Sequence, residues 1–145
     1  MSDDIHPPVL GIDYGLVRVG IAISDPLRLT AQPVTTIKAS TTDALITAIE
    51  EIVVRRGVCR VVVGLPLNMD GSEGTACEAV REFAGLLGGR LGLEVVLQDE
   101  RLSTVRAERV MLEADVSRAR RARARDVIAA QLILQSYLDA QRSRE

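Results

Sequence analysis

Residues 9–24, VLGIDYGLVRVGIAIS, contain two apolar runs rich in β-branched residues and separated by a short turn. Val9 to Asp13 and Val17 to Ser24 each have the composition of a buried strand. Between them, Tyr14-Gly15-Leu16 supplies the glycine that a hairpin connection favours. The stretch therefore predicts an antiparallel hairpin whose first strand ends in a carboxylate, Asp13.

The rest of the chain adds three more strands and four helices. The predicted strands are Val34–Ile37, Cys59–Leu65 and Leu93–Gln98, and a turn-rich loop, Pro66–Gly74, follows the second of them. The first predicted helix is capped by Ser40, Thr41 or Thr42 and stopped by Gly57, and the second contains Ala76 to Leu87 and is ended by Gly88-Gly89. The third runs from Ser103 or Thr104 to about Ala114, and the last runs from about Arg125 to Ala140. Three antiparallel strands followed by αβ crossovers predict an α/β fold, with one five-stranded mixed sheet and helices on both faces. This is the ribonuclease-H-like topology, although other mixed α/β layouts share the element list.

Composition indicates one cytoplasmic domain. A chain of 145 residues with 47% hydrophobic residues can bury a core, and we expect flexible tails at residues 1–7 and 141–145. No apolar run approaches the roughly 20 residues of a membrane helix, and the acidic N-terminus is unlike a secretory signal. Cys59 and Cys77 are too few for a disulfide framework, so we interpret them as buried thiols.

The rare residue types exclude several classes of site. His6 is the single histidine, which argues against a Ser-His-Asp triad, a histidine-ligated zinc site or a histidine general base. Aromatic residues make up only 2% of the chain, too few for a binder that stacks successive bases on exposed rings. Contacts with nucleic acid are therefore expected to use charge and the backbone.

The net charge of −2 hides an uneven distribution. Acidic residues predominate before residue 101 and basic residues predominate after it. The candidate nucleic-acid contacts are Arg101, the Asn68 loop and a run of five arginines: Arg118, Arg120, Arg121, Arg123 and Arg125. A solvated basic loop is the alternative interpretation of the run, and a structured turn is the alternative for Asn68.

Three carboxylates are candidates for one site. Asp13 ends the first strand, and the alternative is a turn aspartate bonded to its own backbone. Asp99 and Glu100 end the fifth strand, where adjacent side chains point to opposite faces, so at most one faces Asp13. Asp126 falls on the apolar face of the last helix, in its predicted first turn, with Gln131 and Gln135 on the opposite side.

A carboxylate on that apolar face needs a cationic partner, because burying a lone charge costs several kcal/mol. An acid favoured by the helix dipole, or paired with a neighbouring arginine, is the alternative for Asp126. Together, Asp13, Glu100 and Asp126 could hold two Mg²⁺ or Mn²⁺ ions without histidine, as in hydrolysis of a phosphodiester.

Four segments of the chain resemble the YqgF family, in the RuvC-like branch of ribonuclease-H-like nucleases. The matching segments are residues 11–15 with 19–22, 63–71, 99–104, and Asp126 with 132–137. The resemblance implies a single ribonuclease-H-like domain with catalytic and metal-binding acids at Asp13, Glu100 and Asp126. It also implies an endonuclease that matures the 5′ end of pre-16S ribosomal RNA, with the ribosome or its precursors as partners. An older proposal for the family is resolution of Holliday junctions.

One segment departs from the family pattern. The family usually has lysine-rich sequence and an apolar residue just before the last acid, whereas here Arg125 precedes Asp126. The helix start and the orientation of Asp126 are therefore open. Alternatives to RNA cleavage are a junction resolvase, a non-catalytic RNA-binding assembly factor, and an actin-like ATPase, which would need a second domain. We expect a monomer or a weak homodimer.

Overall fold

The structure, a computed structural model, describes residues 5–101 and 118–143. Five strands form one sheet in the order β3-β2-β1-β4-β5. Strand β1 pairs antiparallel with β2 and parallel with β4, β2 pairs antiparallel with β3, and β4 pairs parallel with β5. The strands are β1 (Val9–Asp13), β2 (Arg18–Ser24), β3 (Ala31–Lys38), β4 (Arg60–Leu65) and β5 (Val95–Asp99). The predicted mixed sheet is confirmed.

Helices cover both faces of the sheet, as the sequence predicts. Helices α1 (Thr42–Arg56) and α2 (Thr75–Leu91) pack on one face, and α3 (Arg118–Ser143) packs on the other. None of these helices, within the residues that the structure describes, is long and apolar enough to cross a membrane.

The two faces of the sheet differ in side-chain size. Leu10, Ile12 and other large aliphatic residues point toward α1 and α2, whereas small residues such as Ala22 point toward α3. Gly11 lies on the α3 face, where an added Cβ would come within 2.7 Å of Leu134 Cβ. Small side chains thus allow α3 to lie close against the middle of the sheet.

The ends of α1 agree with the sequence, whereas the predicted end of α2 is wrong. Thr41 caps α1 by accepting a hydrogen bond from the Ala44 amide, and Gly57 ends the helix with φ 68°. Helix α2 continues through Gly88-Gly89 to Leu91. Gly92 has φ 66° and its N–H donates to the Gly88 carbonyl, so this glycine provides the left-handed cap.

Strand β3 is longer at both ends than the predicted Val34–Ile37, and it contains Pro33. Proline is tolerated because β3 is an edge strand. The register also shifts between Ile21 and Ala22, so that Ala22 pairs with Pro33 and Val34 is the extra residue of a bulge.

The last helix begins earlier than predicted. It already includes Arg118, because the alternating arginines and alanines ahead of Asp126 favour helix and contain no breaker. The arginine run is therefore helical rather than a loop, and Asp126 lies more than two turns into α3 instead of in its first turn. The helix also continues to Ser143, where the sequence suggested a tail from residue 141. The predicted helix from Ser103 or Thr104 to Ala114 lies outside the described residues.

The positions of three side chains, Gln131, Gln135 and Cys59, differ from those predicted. Gln131 and Gln135 do not face away from the sheet, because both hydrogen-bond the main chain of Ala31 at the start of β3. Cys77 is buried as expected, while Cys59 is only partly buried, with its Sγ 3.3 Å from an Arg28 nitrogen.

Candidate active site

Asp13 lies at the end of the central strand and is surrounded by other acids. Burial is the largest cause of a pKa raised to about 7, and the negative charges of Glu100 and Asp126 raise it further. The charge of Arg125 acts in the opposite direction. The structure thus brings the three predicted carboxylates into one electrostatic environment, with Asp13 between the other two elements.

Two glycines make room for the other acids beside Asp13. Gly20 pairs with Asp13 across β1 and β2, and an added Cβ there would lie 2.0 Å from the main-chain oxygen of Asp126. On the other side, an added Cβ at Gly64 would lie 1.9 Å from Glu100 Oε2. Any larger residue would occupy the space used by α3 or by the Glu100 carboxylate.

Glu100, and not Asp99, turns toward the site. Glu100 follows β5 directly, and its amide donates to the Leu65 carbonyl at 3.3 Å. Its pKa is raised to about 7, first by burial and then by the charge of Asp99. Asp99 points away and is bonded by Arg101, whose Nη2 lies 2.8 Å from Asp99 Oδ2 and holds the pKa of Asp99 low. Of the two acids at this strand end, Glu100 is therefore the one that faces the site.

Asp126 has the cationic partner that its position requires. Arg18 Nε donates to Asp126 Oδ2 at 2.8 Å, and the two side chains are 31% and 18% exposed. This partner comes from β2, and the sequence analysis missed it. Arg18 lies two residues before Gly20, so strand alternation puts it on the α3 face and offered a signal.

The described residues do not form a closed metal site. No group of three or more His, Cys, Asp or Glu side chains within residues 5–101 and 118–143 has the arrangement to hold a metal ion. The donor chemistry nevertheless fits a hard cation, because Asp13 and Glu100 present carboxylate oxygens and burial disfavours both negative charges. Asp126 is the third available carboxylate, and it is held by Arg18.

The five arginines that precede Asp126 all lie in α3. Arg123 is exposed on the helix, and Arg125 is half-buried close enough to act on the charge of Asp13. The backbones of Arg118, Arg120 and Arg121 lie in α3, but their side chains are outside the description. The helix therefore places the last arginine of the run, Arg125, near Asp13.

Arg101 and Asn68 belong to a folded loop. Arg101 bonds Asp99 through Nε and reaches the Met69 carbonyl at 3.4 Å. Asn68 donates its side-chain amide to Ser72 Oγ, and Gly71 takes φ 87° at the loop tip. Arg101 thus connects the loop to the end of β5, which favours a positioning role for it. Asn68 bonds within the loop, which favours its structured-turn interpretation.

Comparison with known families and proteins gives consistent matches. A family model described as RuvX, Holliday junction resolvase, matches residues 8–140. A Myxococcus xanthus protein is 53% identical over 133 residues, which is 92% of this chain and 88% of that protein. A Moorella thermoacetica protein is 52% identical over 131 residues, 90% of this chain and 94% of that protein. Both carry the name "Putative pre-16S rRNA nuclease".

Two solved resolvases share the fold. T. thermophilus RuvC in complex with a Holliday junction substrate matches with a TM-score of 0.62 at 17% identity, over 95% of this chain and 97% of that one. The Fowlpox virus resolvase, solved with Holliday junction DNA, matches with a TM-score of 0.56 at 11% identity, over 92% and 98%. At these identities the likeness shows the architecture, and it confirms the predicted ribonuclease-H-like topology.

Proposed function

The chain belongs to the RuvX family, and from this premise we propose a metal-dependent endonuclease whose site is Asp13, Glu100 and Asp126. Hydrolysis of phosphodiester bonds follows from the family and from relatives named as nucleases. One observation carries the assignment of the site. Asp13 and Glu100 are both partly buried at the ends of β1 and β5, the two strands that flank β4, with pKa values raised to about 7, and the charge of Glu100 contributes to the shift of Asp13.

Asp13, Glu100 and Asp126 would hold two Mg²⁺ or Mn²⁺ ions. When bound, such ions activate a water and stabilise the leaving 3′-oxygen of the cleaved phosphodiester. Asp13 and Glu100 must lose their protons to bind a cation, so binding competes with protonation near neutral pH. Arg18 orients Asp126 through its hydrogen bond, and Arg123 attracts the phosphate backbone.

The substrate that we propose is structured RNA at the 5′ end of pre-16S ribosomal RNA, in ribosome precursors of the cytoplasm. The names of the relatives in Myxococcus xanthus and Moorella thermoacetica support this choice. Holliday junction DNA is the second candidate, and the description of the family supports it. Junction resolution requires two sites related by symmetry, whereas RNA trimming is compatible with a monomer or a weak homodimer.

Replacement of Asp13 by asparagine tests the nuclease. We expect Asp13→Asn to lower the rate of cleavage in Mg²⁺ or Mn²⁺ by at least about 100-fold, since changes in the outer shell of a metal site already cost 10- to 100-fold. The measurement is mapped cleavage of a pre-16S 5′-leader RNA and of a four-way DNA junction, in parallel.

Asp43→Asn is the matched control, because Asp43 is exposed on α1 and pairs with Arg90 away from the site. Its cleavage rate should equal that of the wild type. Equal rates for Asp13→Asn and the wild type would refute the assignment. Paired cuts in the junction, with an intact RNA leader, would establish the second candidate substrate instead.

A further inference from the structure

An apolar cavity of about 420 Å³ lies at the end of β1, on the face of the sheet that α2 covers. Tyr14 and Leu16, which follow Asp13 in the β1–β2 turn, line one side, while Pro66 and Ala79 line the other. Pro66 follows Leu65, whose carbonyl accepts the hydrogen bond from the Glu100 amide. The cavity therefore lies at the ends of β1, which carries Asp13, and of β4, which is hydrogen-bonded to the amide of Glu100.

The chemistry of the cavity wall differs sharply from that of the site beside it. All of its lining residues are uncharged, and its polar side chains are the hydroxyl groups of Tyr14 and Thr75. A phosphate would meet no cationic side chain among them, whereas a flat neutral group could exchange water for apolar contact. A nucleotide could occupy both the cavity and the neighbouring site, since its base is flat and uncharged and its phosphate is anionic.

Tyr14 and Leu16, which line the same side of the cavity, differ in how firmly the core holds them. The ring of Tyr14 stacks on the ring of Phe83, with centroids 4.4 Å apart and planes inclined by 23°. Phe83 is 2% exposed, so the core fixes the position of Tyr14. Leu16, at the tip of the turn, is 84% exposed.

We propose that this cavity is a subsite for an unpaired nucleobase next to the scissile phosphate, a proposal that rests on the nuclease function above. The base lies against Tyr14 and Ala79, with Leu16 as an apolar edge that separates it from its neighbour. The phosphate on the same nucleotide then lies across the end of β1, toward Asp13 on the α3 face of the sheet. The subsite selects a single-stranded or distorted position, in RNA or at a branch point in DNA.

Binding of abasic oligonucleotides tests the subsite. The probe is a single-stranded RNA that spans the cleaved bond, together with copies that carry one abasic nucleotide at each position in turn. Affinity is measured by fluorescence anisotropy in Ca²⁺. For the wild type, we expect one abasic position, next to the cleaved bond, to weaken binding about fivefold or more. DNA of the same sequence shows whether the sugar matters.

Two variants connect that position with the cavity. Ala79→Leu fills the cavity, so it should weaken binding of the intact RNA about fivefold and remove the effect of the abasic position. Leu16→Ser should act in the same direction, and its exposure keeps the fold intact. Ala44→Leu is the matched control on an exposed position of α1 and should bind like the wild type.

Equal affinities along the whole abasic series would overturn the subsite, as would an unchanged abasic effect in both variants. Cleavage in Mg²⁺ is scored separately on the same RNAs. Position-dependent binding without cleavage would support the subsite and overturn the nuclease. Cleavage without position-dependent binding would overturn the subsite alone.

Discussion

At the scale of single residues, Asp126 shows how much a carboxylate depends on a distant partner. It accepts a hydrogen bond from Arg18, which is 108 positions away in the sequence. The apolar surroundings of Asp126 predicted that a cation would be present, because an unpaired charge on such a face is costly. They did not identify which cation it would be, because only the docking of α3 on β2 brings Arg18 and Asp126 together.

A double-mutant cycle measures this pair. Arg18→Met and Asp126→Asn should each lower the free energy of unfolding by about 1 kcal/mol, since each leaves a half-buried polar group without its partner. We expect the double variant to lose less than the sum, with a coupling of about 0.5–1 kcal/mol in urea denaturation. Both side chains retain some exposure, which keeps these values well below those of a fully buried pair.

The bidentate pair of Arg81 and Glu73 provides the control cycle, because its side chains are 50% and 44% exposed. Its coupling should be smaller, since exposed ion pairs contribute little to stability. Strict additivity at Arg18 and Asp126, together with a larger coupling at Arg81 and Glu73, would contradict the role assigned to Arg18.

At the scale of elements, contact between α3 and the sheet builds the site. Asp126 is carried by a helix whose backbone approaches the sheet so closely that Gly20 admits no side chain. A carbonyl oxygen in a helix cannot turn aside as a flexible side chain can. A Cβ at Gly20 therefore has to displace the whole helix or bend the strand.

Gly20→Ala should consequently lower the free energy of unfolding by at least about 2 kcal/mol, measured by urea denaturation. The control is Gly85→Ala on α2, where an added Cβ meets no atom within 4 Å. That variant should stabilise the protein by about 0.5–1 kcal/mol, because alanine has the better helix propensity. A neutral Gly20→Ala would show that α3 docks less closely than described.

At the scale of the whole molecule, the fold concentrates negative charge where it also excludes water. The pKa values of Asp13 and Glu100 rise to about 7 from 3.8 and 4.5, with burial as the largest cause for each. Between pH 4 and 7 the folded protein then binds protons that the unfolded chain has released. Stability without metal must therefore fall as the pH rises through this range.

We expect the metal-free protein in EDTA to be more stable at pH 5 than at pH 8, by about 1 kcal/mol or more. Thermal and urea denaturation at the two pH values measure the difference. The variant with Asp13→Asn and Glu100→Gln should show a much smaller difference. The carboxylates with lowered pKa values, such as Asp25 and Asp99, are ionised in both states over this range and do not contribute. Higher stability at pH 8 would contradict the shifts.

Much of the architecture could be predicted from local sequence. Alternation and apolar runs gave the hairpin and the parallel strands, and Thr41 and Gly57 marked the ends of α1. The errors occurred where tertiary contacts outweigh local preference. Pro33 lies inside β3 because that strand is at the edge, and Gly88-Gly89 continue α2 because Gly92 provides its left-handed cap.

The sequence by itself determined the set of elements and the carboxylates worth testing, because periodicity and residue type are local properties of the chain. Only the tertiary structure selected Glu100 over Asp99, paired Arg18 with Asp126 and placed an apolar cavity at the end of β1. The physical reason is that side-chain direction at a strand end, charge pairing and enclosed volume depend on how separate elements pack. No spacing along the chain records that packing.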